Sequence, residues 1–247
     1  MTALSTQQDL IFDIGMHNGL DTEWYLAKGF RVVAVEANPT LAKQGAEKFA
    51  AELATGRLII DNVGLAGTDG ELPFYVNLDN DEWSSFNRAL GTRQGTRYEV
   101  VTVPTITPAR LFEKFGLPYF VKIDIEGFDH LVVRALGHLA KKPRLVSVED
   151  NGFVSLVELF NAGCRGFKFM DQVEKWKIKL PNPPLEGRYV KGRFGACTSG
   201  PFGEEVPGPW MTLEEAARFY FQHIRPPGKG LQKNWWDIHG QFEAKAS

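Results

Sequence analysis

The chain has 247 residues, of which 43% are hydrophobic, 12% aromatic and 23% charged. These proportions are ordinary for a globular protein and exclude a disordered, collagenous or fibrous one. The formal net charge is only -2, which argues against nucleic acid or an anionic membrane as the main partner. Two cysteines, Cys164 and Cys197, are too few and too isolated to indicate a disulfide framework or a structural zinc site.

The amino-terminal segment, residues 1–15, lacks a basic stretch followed by a long apolar run. No apolar run elsewhere approaches the roughly 20 residues that a membrane-spanning helix needs. We therefore expect neither a secretory signal nor a membrane partner. The low cysteine content fits a reducing compartment, so these features predict a cytoplasmic protein.

Residues 1–165 alternate short apolar runs with helical patterns. The apolar runs are rich in branched residues, as parallel strands buried on both faces are, and they lie at 10–14, 31–36, 57–60, 119–124 and 144–149. The helical patterns begin near Asp21, Thr40, Thr107, Phe128 and Phe153. This alternation predicts an α/β fold with a Rossmann-like, doubly wound and mostly parallel sheet, which binds ligands at the carboxyl ends of its strands.

Residues 181–247 differ in composition from the rest of the chain, because they hold eight of the 14 prolines and three tryptophans. Within them, Thr212 and Glu215 have the spacing of a capping box, which predicts the start of a helix. Disordered tails are usually poor in aromatic residues. We therefore predict a core domain of residues 1–180 and an ordered extension that completes the sheet and covers the ligand site.

The first predicted strand runs into a glycine-containing turn, Asp13-Ile-Gly15-Met-His-Asn-Gly19. Glycine lets the backbone approach a ligand closely, and the following helix presents free amides to the same space. Glu36 ends the second strand, about 20 residues further on, where an acidic residue can accept both hydrogen bonds of a ribose diol. This pairing favours a nucleotide-like ligand over the alternative, an empty turn followed by a helix cap.

The turn departs from the GxGxxG fingerprint of dinucleotide-binding proteins. It supplies fewer amides for a pyrophosphate, which Asp13 would also repel. An anionic side chain instead suits S-adenosylmethionine, whose ammonium and sulfonium groups are both positive. Adenine would then lie near the end of the third strand, where Asp61 or Asn62 could accept from its amine. A turn or cap role for these two residues is an equal alternative.

Four segments together resemble the FkbM family of class I S-adenosylmethionine-dependent methyltransferases. They are 13–19, 36–39, 62–65 and 121–127, the last of which reads Val-Lys-Ile-Asp-Ile-Glu-Gly. The resemblance covers roughly residues 8–170. It implies a seven-stranded sheet with a final antiparallel hairpin, which we build from 166–170 and a strand near 194–197. It also implies methyl transfer, usually to a hydroxyl oxygen of a sugar or natural product.

One departure from the family is the segment Thr105-Ile-Thr-Pro108, where many relatives have Thr-Leu-Asp. A role attached to that aspartate is not available here. We expect contacts to the methyl donor from the glycine turn and the ends of the next three strands, namely Asp13, Gly15, Asn18, Gly19, Glu36, Ala37, Asp61, Asn62 and Asp124.

Methyl transfer is an in-line displacement at the sulfonium methyl, so the enzyme must align the acceptor oxygen and remove its proton. Asp124, at the carboxyl end of the fourth strand, is the first catalytic candidate, as the base or as the group that orients the hydroxyl. His17, in the glycine turn, is the second. Lys122 lies on the same face of this strand and should pair with a carboxylate, for which Glu149 is a good candidate.

A magnesium site is a further hypothesis, because Asp124, Asp150 and Asn151 resemble the ligands of catechol-type O-methyltransferases. Such hard oxygen ligands suit Mg²⁺, which would lower the pKa of a bound hydroxyl. The alternative is that Asp150 or Asn151 simply caps the helix that begins at Phe153.

The sequence thus predicts an S-adenosylmethionine-dependent O-methyltransferase that acts on a small molecule, with a saccharide as one candidate. Trp235 and Trp236 offer flat faces of the kind that stack on sugars, although core packing is the more frequent fate of such residues. Two alternatives stay open, a nicotinamide-dependent oxidoreductase and a non-catalytic S-adenosylmethionine- or nucleotide-binding module. The first is disfavoured by the glycine turn and by the absence of a helical Tyr-x-x-x-Lys pair. Homo-oligomer formation is also open.

Overall fold

The computed structural model describes residues 6–226 and 234–242. Within these ranges the apolar runs form ten strands, listed in chain order as β1 (Thr6–Ile14), β2 (Arg31–Val35), β3 (Leu58–Asp61), β4 (Gly64–Leu65), β5 (Gly70–Asn77), β6 (Tyr98–Ile106), β7 (Leu117–Ile123), β8 (Leu145–Glu149), β9 (Gly166–Asp171) and β10 (Trp236–Gln241). All five strands expected in the first part of the chain are present, as β1, β2, β3, β7 and β8.

Eight α-helices connect these strands in the same described ranges: α1 (Leu20–Ala27), α2 (Pro39–Lys48), α3 (Ala50–Ala54), α4 (Arg88–Gly91), α5 (Pro108–Phe115), α6 (Asp129–His138), α7 (Phe153–Ala162) and α8 (Leu213–Phe219). The capping box of Thr212 and Glu215 is confirmed at the start of α8. Asp21 does not cap α1, because Gly19 takes that position and Asp21 is buried in the first turn. The helix predicted from Thr40 is two helices, α2 and α3, separated at Phe49.

Seven strands form the central sheet in the order β3-β2-β1-β7-β8-β10-β9. All are parallel except β10, which runs antiparallel to both β8 and β9. The predicted doubly wound, mostly parallel sheet of seven strands is therefore confirmed. The reversal between β1 and β7, whose helices lie on opposite faces of the sheet, is the place where such folds bind ligands.

Only one of the two strands of the final hairpin was predicted correctly. β9 lies where the sequence places it, but its partner is β10 and not the segment 194–197. That segment is a loop with a turn at Cys197, whose φ of 59° lies in the left-handed region that strands do not use. The apolar run at 194–197 resembles a strand only in composition.

Alternate residues of the central strands pack on opposite faces of the sheet. Phe12, Val121 and Val146 belong to the core on one face, whereas Ile11, Phe120 and Leu145 belong to the core on the other. The second face is covered in part by residues after 180. Phe202 is buried and stacks on Phe120, with ring centroids 4.5 Å apart.

A second, smaller sheet has the order β4-β6-β5 and is built mainly from the antiparallel pair β5 and β6. The connection between these two strands, residues 78–97, turns back toward the central sheet, where Ser85 donates to the carbonyl oxygen of Glu126 at 2.7 Å. No helix in the described part of the chain is long and apolar enough to cross a membrane.

Candidate active site

A cavity of about 690 Å³ lies at the carboxyl edge of the central sheet. It extends from Gly15 and Glu36, at the ends of β1 and β2, past Asp124 to Glu149 and Asp237. The carboxyl ends of β7 and β8 and the beginning of β10 meet at this edge because β10 runs in the opposite direction. The cavity therefore occupies the ligand-binding position of a doubly wound sheet.

Gly15 forms the tightest point of the turn after β1. Its φ is +89°, and a Cβ atom at this position would lie 1.9 Å from the carbonyl oxygen of Asp124. Only glycine fits here, since any side chain would overlap the backbone that follows β7 and would also strain the local conformation. The turn is thereby held against β7, and its backbone faces the cavity.

Glu36 is buried at the end of β2 and lines the cavity. Its two carboxylate oxygens accept hydrogen bonds from the backbone amides of His17, at 2.7 Å, and Asn38, at 2.8 Å. Burial raises the pKa of this carboxyl, and the two amides act in the opposite direction. A carboxylate has about four acceptor positions, so Glu36 keeps capacity for two hydroxyl donors such as those of a ribose.

Lys122 is the centre of a buried charge cluster beneath the cavity. Its ammonium group donates to the carbonyl oxygen of Gly15 at 2.7 Å and lies 3.3 Å from Asp13, 3.7 Å from Asp124 and 3.9 Å from Asp21. Burial acts to lower the pKa of Lys122, but the three carboxylates outweigh it and raise that pKa. The predicted pairing with Glu149 is wrong, because the carboxylates within 4.0 Å of the Lys122 ammonium group are those of the three aspartates.

Asp21 completes this cluster from α1. Both of its carboxylate oxygens accept from the backbone amide of Ser199, at 2.9 and 3.0 Å, which ties the loop after 194 to the cavity wall. Burial raises the pKa of Asp21 to about 6, despite the opposing charge of Lys122. Asp21 lines the cavity, whereas the sequence had marked it only as the start of a helix and not as a site residue.

The residues predicted to contact the donor divide into two groups. Gly15, Glu36, Ala37 and Asp124 line the cavity, whereas five others do not: Asp13, Asn18, Gly19, Asp61 and Asn62. After β3, residues 63–65 line the cavity in place of the predicted Asp61 and Asn62. The cavity thus brings together the glycine turn and the ends of β2 and β7, and the donor contacts themselves stay predictions.

Three of the residues outside the cavity wall have defined partners. Asp13 accepts from the hydroxyl of Thr22 at 2.6 Å beneath the glycine turn. Asp61 forms an ion pair with Lys114 at 2.8 Å. The side-chain amide of Asn62 donates to the backbone carbonyl oxygen of Glu36 at 2.7 Å, so Asn62 holds the end of β2 in place.

His17, the second catalytic candidate, lines the cavity in the left-handed backbone region, with a φ of 52°. Its Nε2 atom lies 3.0 Å from the Oδ1 atom of Asp81, which belongs to the connection between β5 and β6. Its backbone amide is one of the two that donate to Glu36. His17 therefore joins the end of β2 to the connection between β5 and β6.

Only two of the three predicted magnesium ligands line the cavity. Asp150 is buried beneath the cavity edge, where it accepts from the hydroxyl of Tyr220 at 3.0 Å and pairs with Arg225 at 3.1 Å. Asp124 and Asn151 line the cavity, and Asp150 does not. In the described residues no group of three or more His, Cys, Asp or Glu side chains is placed to hold a metal ion. The cap alternative is also wrong, since no side chain caps α7.

Glu149 and Asp237 face each other at the far end of the cavity, one on β8 and one on β10. Burial, with the charges of Asp124 and Glu126 next in size, raises the pKa of Glu149 to about 9. Burial likewise raises the pKa of Asp237 well above its ordinary value. Sequence reasoning missed this pair, because Asp237 carried no motif and its strand was not expected there.

The roof of the cavity comes from the connection between β5 and β6. The guanidinium of Arg93 lies 4.5 Å from the ring centre of Trp83 and 3.1 Å from the Oε1 atom of Glu126. Glu126 itself has a φ of 45°, a strained value for a residue other than glycine. These three residues line the cavity, and no sequence pattern had marked Trp83 or Arg93.

A family model described as the Methyltransferase FkbM domain matches residues 13–174. Among solved structures, the chain is similar to a methyltransferase FkbM from Methylobacillus flagellatus KT, with 16% identity and a TM-score of 0.41 over 65% of this chain and 38% of that one. The chain therefore spans 38% of the length of that relative. No curated protein matches the chain significantly.

Two further solved structures cover most of the chain. One is a precorrin-6y C5,15-methyltransferase from Geobacter metallireducens GS-15, with 9% identity and a TM-score of 0.42 over 97% of this chain and 82% of that one. The other is 1,6-didemethyltoxoflavin-N1-methyltransferase from Burkholderia thailandensis, solved with 1,6-didemethyltoxoflavin and S-adenosylhomocysteine. Its identity is 11% and its TM-score 0.38, over 95% of this chain and 71% of that one.

Proposed function

Because the chain belongs to the FkbM methyltransferase family, we propose that it transfers a methyl group from S-adenosylmethionine to a hydroxyl oxygen of a small organic molecule. One observation carries the proposal. Gly15, Glu36 and Asp124, on three neighbouring strands, line a single cavity at the carboxyl edge of the sheet. These residues supply a close backbone approach, a carboxylate with acceptor positions for a ribose, and an acidic group for the acceptor, which supports the proposal.

Different residues along the cavity would bind the donor and act on the acceptor. Glu36 accepts the ribose hydroxyls, and the backbone at Gly15 lies against the amino-acid end of the donor, above the carboxylates around Lys122. S-adenosylmethionine supplies a methyl group on a positively charged sulfur. The acceptor oxygen attacks the methyl carbon while the carbon–sulfur bond breaks toward sulfur, and Asp124 orients the hydroxyl and receives its proton. His17, which also lines the cavity, is the second candidate for this catalytic role.

A saccharide is the acceptor that we consider first. The far half of the cavity carries carboxyl, amide and ammonium groups that can exchange hydrogen bonds with several hydroxyls, and Trp235 adds an exposed indole face. Trp236 does not line the cavity, so only one of the two tryptophans supports this role. Magnesium has no part in the proposal, because Asp150 is committed to Tyr220 and Arg225.

Calorimetric titration with S-adenosylhomocysteine tests the proposal, with NADH as the parallel ligand. We expect micromolar binding of the former and none of the latter. Glu36→Gln should weaken binding at least about tenfold, because it removes charge-assisted hydrogen bonds to the ribose. Glu47→Gln is the matched control, as this exposed residue of α2 changes the net charge equally outside the cavity.

Each outcome of the titration separates the alternatives. Binding of NADH without S-adenosylhomocysteine would replace the proposal by an oxidoreductase. Failure of both ligands to bind would make Glu36 and the glycine turn parts of the scaffold. If the donor analogue binds and a broad screen of hydroxyl compounds yields no methylated product, the non-catalytic binding module becomes the better description.

A further inference from the structure

The strand order divides the cavity between two ligands. Gly15 and Glu36 lie on β1 and β2, and Asp124 follows β7, so the donor lies over β2, β1 and β7. On the other side of β7 the sheet continues with β8, β10 and β9, and the cavity extends in that direction. An acceptor that reaches the methyl group beside Asp124 must therefore lie against the side chains of β8 and β10.

Glu149 and Asp237 are opposed in the antiparallel register of β8 and β10. The next pair along, Asp150 and Trp236, is joined by a backbone hydrogen bond of 2.8 Å. Glu149 and Asp237 are consequently a non-hydrogen-bonded pair, in which Cα atoms lie about 4.5 Å apart and the side chains stand closest. Two carboxyl groups thus project side by side from the floor of the acceptor half.

Neither carboxyl has a hydrogen bond or an ion pair with any residue of 6–226 or 234–242. The nearby acids differ in this respect, since Asp21 is held by Ser199 and Lys122, and Glu126 by Arg93. Partly buried carboxylates without a partner are costly, because charge removed from water must be compensated by another group. In the ligand-free protein protons supply this compensation, as the raised pKa values of Glu149 and Asp237 indicate.

The cations of the cavity are already engaged. Lys175 is buried and donates to Gln172 at 2.8 Å and to the carbonyl oxygen of Thr198. Lys122 serves Gly15 and three aspartates beneath the donor half. Acidic side chains outnumber basic ones along the cavity wall, and within residues 6–226 and 234–242 no basic side chain pairs with Glu149 or Asp237. A bound cation can therefore take the place of the protons that balance these two carboxyl groups.

An aromatic face stands beside the carboxyl pair. Trp235 precedes β10 and lies two positions before Asp237, so both project to the same side of the chain. Its side chain lines the cavity, is 55% exposed and makes no ring contact within the described residues. An indole face next to two carboxyl groups is the arrangement that binds organic cations by combined ion pairing and cation–π attraction.

We propose that the methyl acceptor is a cationic alcohol, in which a positively charged nitrogen is bound by Glu149, Asp237 and Trp235 while its hydroxyl faces Asp124. This inference rests on the proposed function and narrows its acceptor class. It makes Glu149 and Asp237 specificity-determining residues, whose charge is matched by the ligand. It also excludes acceptors that carry a phosphate or carboxylate at that position.

The test compares two hydroxyl compounds of the same shape that differ only in charge, choline and 3,3-dimethylbutan-1-ol. Each is titrated into the full chain saturated with S-adenosylhomocysteine, and binding is measured by calorimetry and ligand-observed NMR. We expect choline to bind about tenfold more tightly than its neutral counterpart. In the double variant Glu149→Gln/Asp237→Asn the two affinities should become equal.

Two further variants separate local from general effects. Glu214→Gln/Glu215→Gln removes two charges on α8, outside the cavity, and should retain the preference for choline. Trp235→Leu should weaken choline binding selectively. The affinity for S-adenosylhomocysteine and the melting temperature are recorded for every variant, so that a folding defect is recognised.

The outcomes for the two proposals are distinct. If S-adenosylhomocysteine does not bind the wild-type chain, the proposed function fails before choline is tested. If it binds but choline shows no advantage over 3,3-dimethylbutan-1-ol, including the case in which neither binds, the cationic acceptor is overturned and the methyltransferase proposal stands. A preference for choline that survives in Glu149→Gln/Asp237→Asn also overturns it.

Discussion

Gly15 lies so close to the backbone of Asp124 that the addition of a single methyl group at position 15 should disrupt the protein. Gly15→Ala should destabilise the fold by more than about 3 kcal/mol, because the added carbon meets a carbonyl oxygen and the backbone is in the left-handed region. It should also abolish binding of S-adenosylhomocysteine. Denaturant unfolding and calorimetry measure the two effects.

Gly56→Ala is the matched control for that variant. Gly56 has a φ of +70°, but a Cβ atom at this position would have no other atom within 4 Å. Its substitution by alanine therefore has only the conformational cost of the left-handed backbone, about 1–2 kcal/mol. Equal losses in the two variants would show that backbone strain, and not the close approach to Asp124, decides the requirement for glycine at 15.

Glu149 should make the stability of the protein depend on pH. Its pKa is raised from 4.5 to about 9, so the folded state binds more protons than the unfolded chain between these values. The free energy of unfolding therefore falls as pH rises through this window. Glu149→Gln should raise the melting temperature at about pH 8, by about 2–4 °C for each kcal/mol relieved, and change it little at pH 4.

A melting temperature of Glu149→Gln that differs from wild type equally at both pH values would contradict this reasoning. Such a result would assign the effect to packing and not to charge. Glu47→Gln, on the exposed surface of α2, controls for the change in net charge.

The cavity residues at the ends of β1, β2 and β7 were predictable because they are close in sequence to recognisable turns. Gly15 and Glu36 follow strands whose apolar runs are clear, and Asp124 lies in the 121–127 motif. Glu149 and Asp237 were not predictable as a pair, since they meet through a strand pairing between distant parts of the chain. The same limit applies to Lys122, whose partners depend on how deeply Asp13 and Asp21 are buried.

At the scale of elements, a buried ion pair joins α1 to the residues after 180. The Nζ atom of Lys28 lies 2.8 Å from Glu205, and both side chains are inaccessible to solvent. Lys28→Met should destabilise the protein by about 3–5 kcal/mol, because it leaves a buried carboxylate without its counter-charge. Denaturant unfolding measures the loss.

A second substitution decides whether charge is the cause. Glu205→Gln in the Lys28→Met background should recover part of the stability, since the amide oxygen can still accept from the backbone amides of Leu185 and Glu186. Strictly additive losses in the double variant would instead indicate two independent packing defects.

The final hairpin shows how far element prediction reaches. β9 has a clear apolar run closed by loops, and it was located correctly. β10 reads Trp-Asp-Ile-His-Gly-Gln, a polar sequence with little strand character, and its position between two strands is fixed by tertiary packing. Segment 194–197 had the better composition, but its backbone turns at Cys197, where φ is 59°, and does not form a strand.

The molecule as a whole depends on β10, which lies between β8 and β9. A chain of residues 1–180 retains six strands of the central sheet but has unpaired edges on both β8 and β9. We expect it to lack a cooperative unfolding transition and to bind an environment-sensitive hydrophobic dye. Cooperative unfolding together with binding of S-adenosylhomocysteine would instead make residues 1–180 an independent domain.

The position of β10 also has a consequence for synthesis on the ribosome. Translation is vectorial, and the strands β3-β2-β1-β7-β8 emerge as a contiguous set that can pair as it appears. β9 follows them but has no neighbour until all of 172–235 has been made. The nascent chain therefore carries two exposed strand edges during this interval, the condition under which molecular chaperones are most needed. The strands over which we propose that the methyl donor binds can therefore be paired before β10, on which the proposed acceptor site depends, has been made.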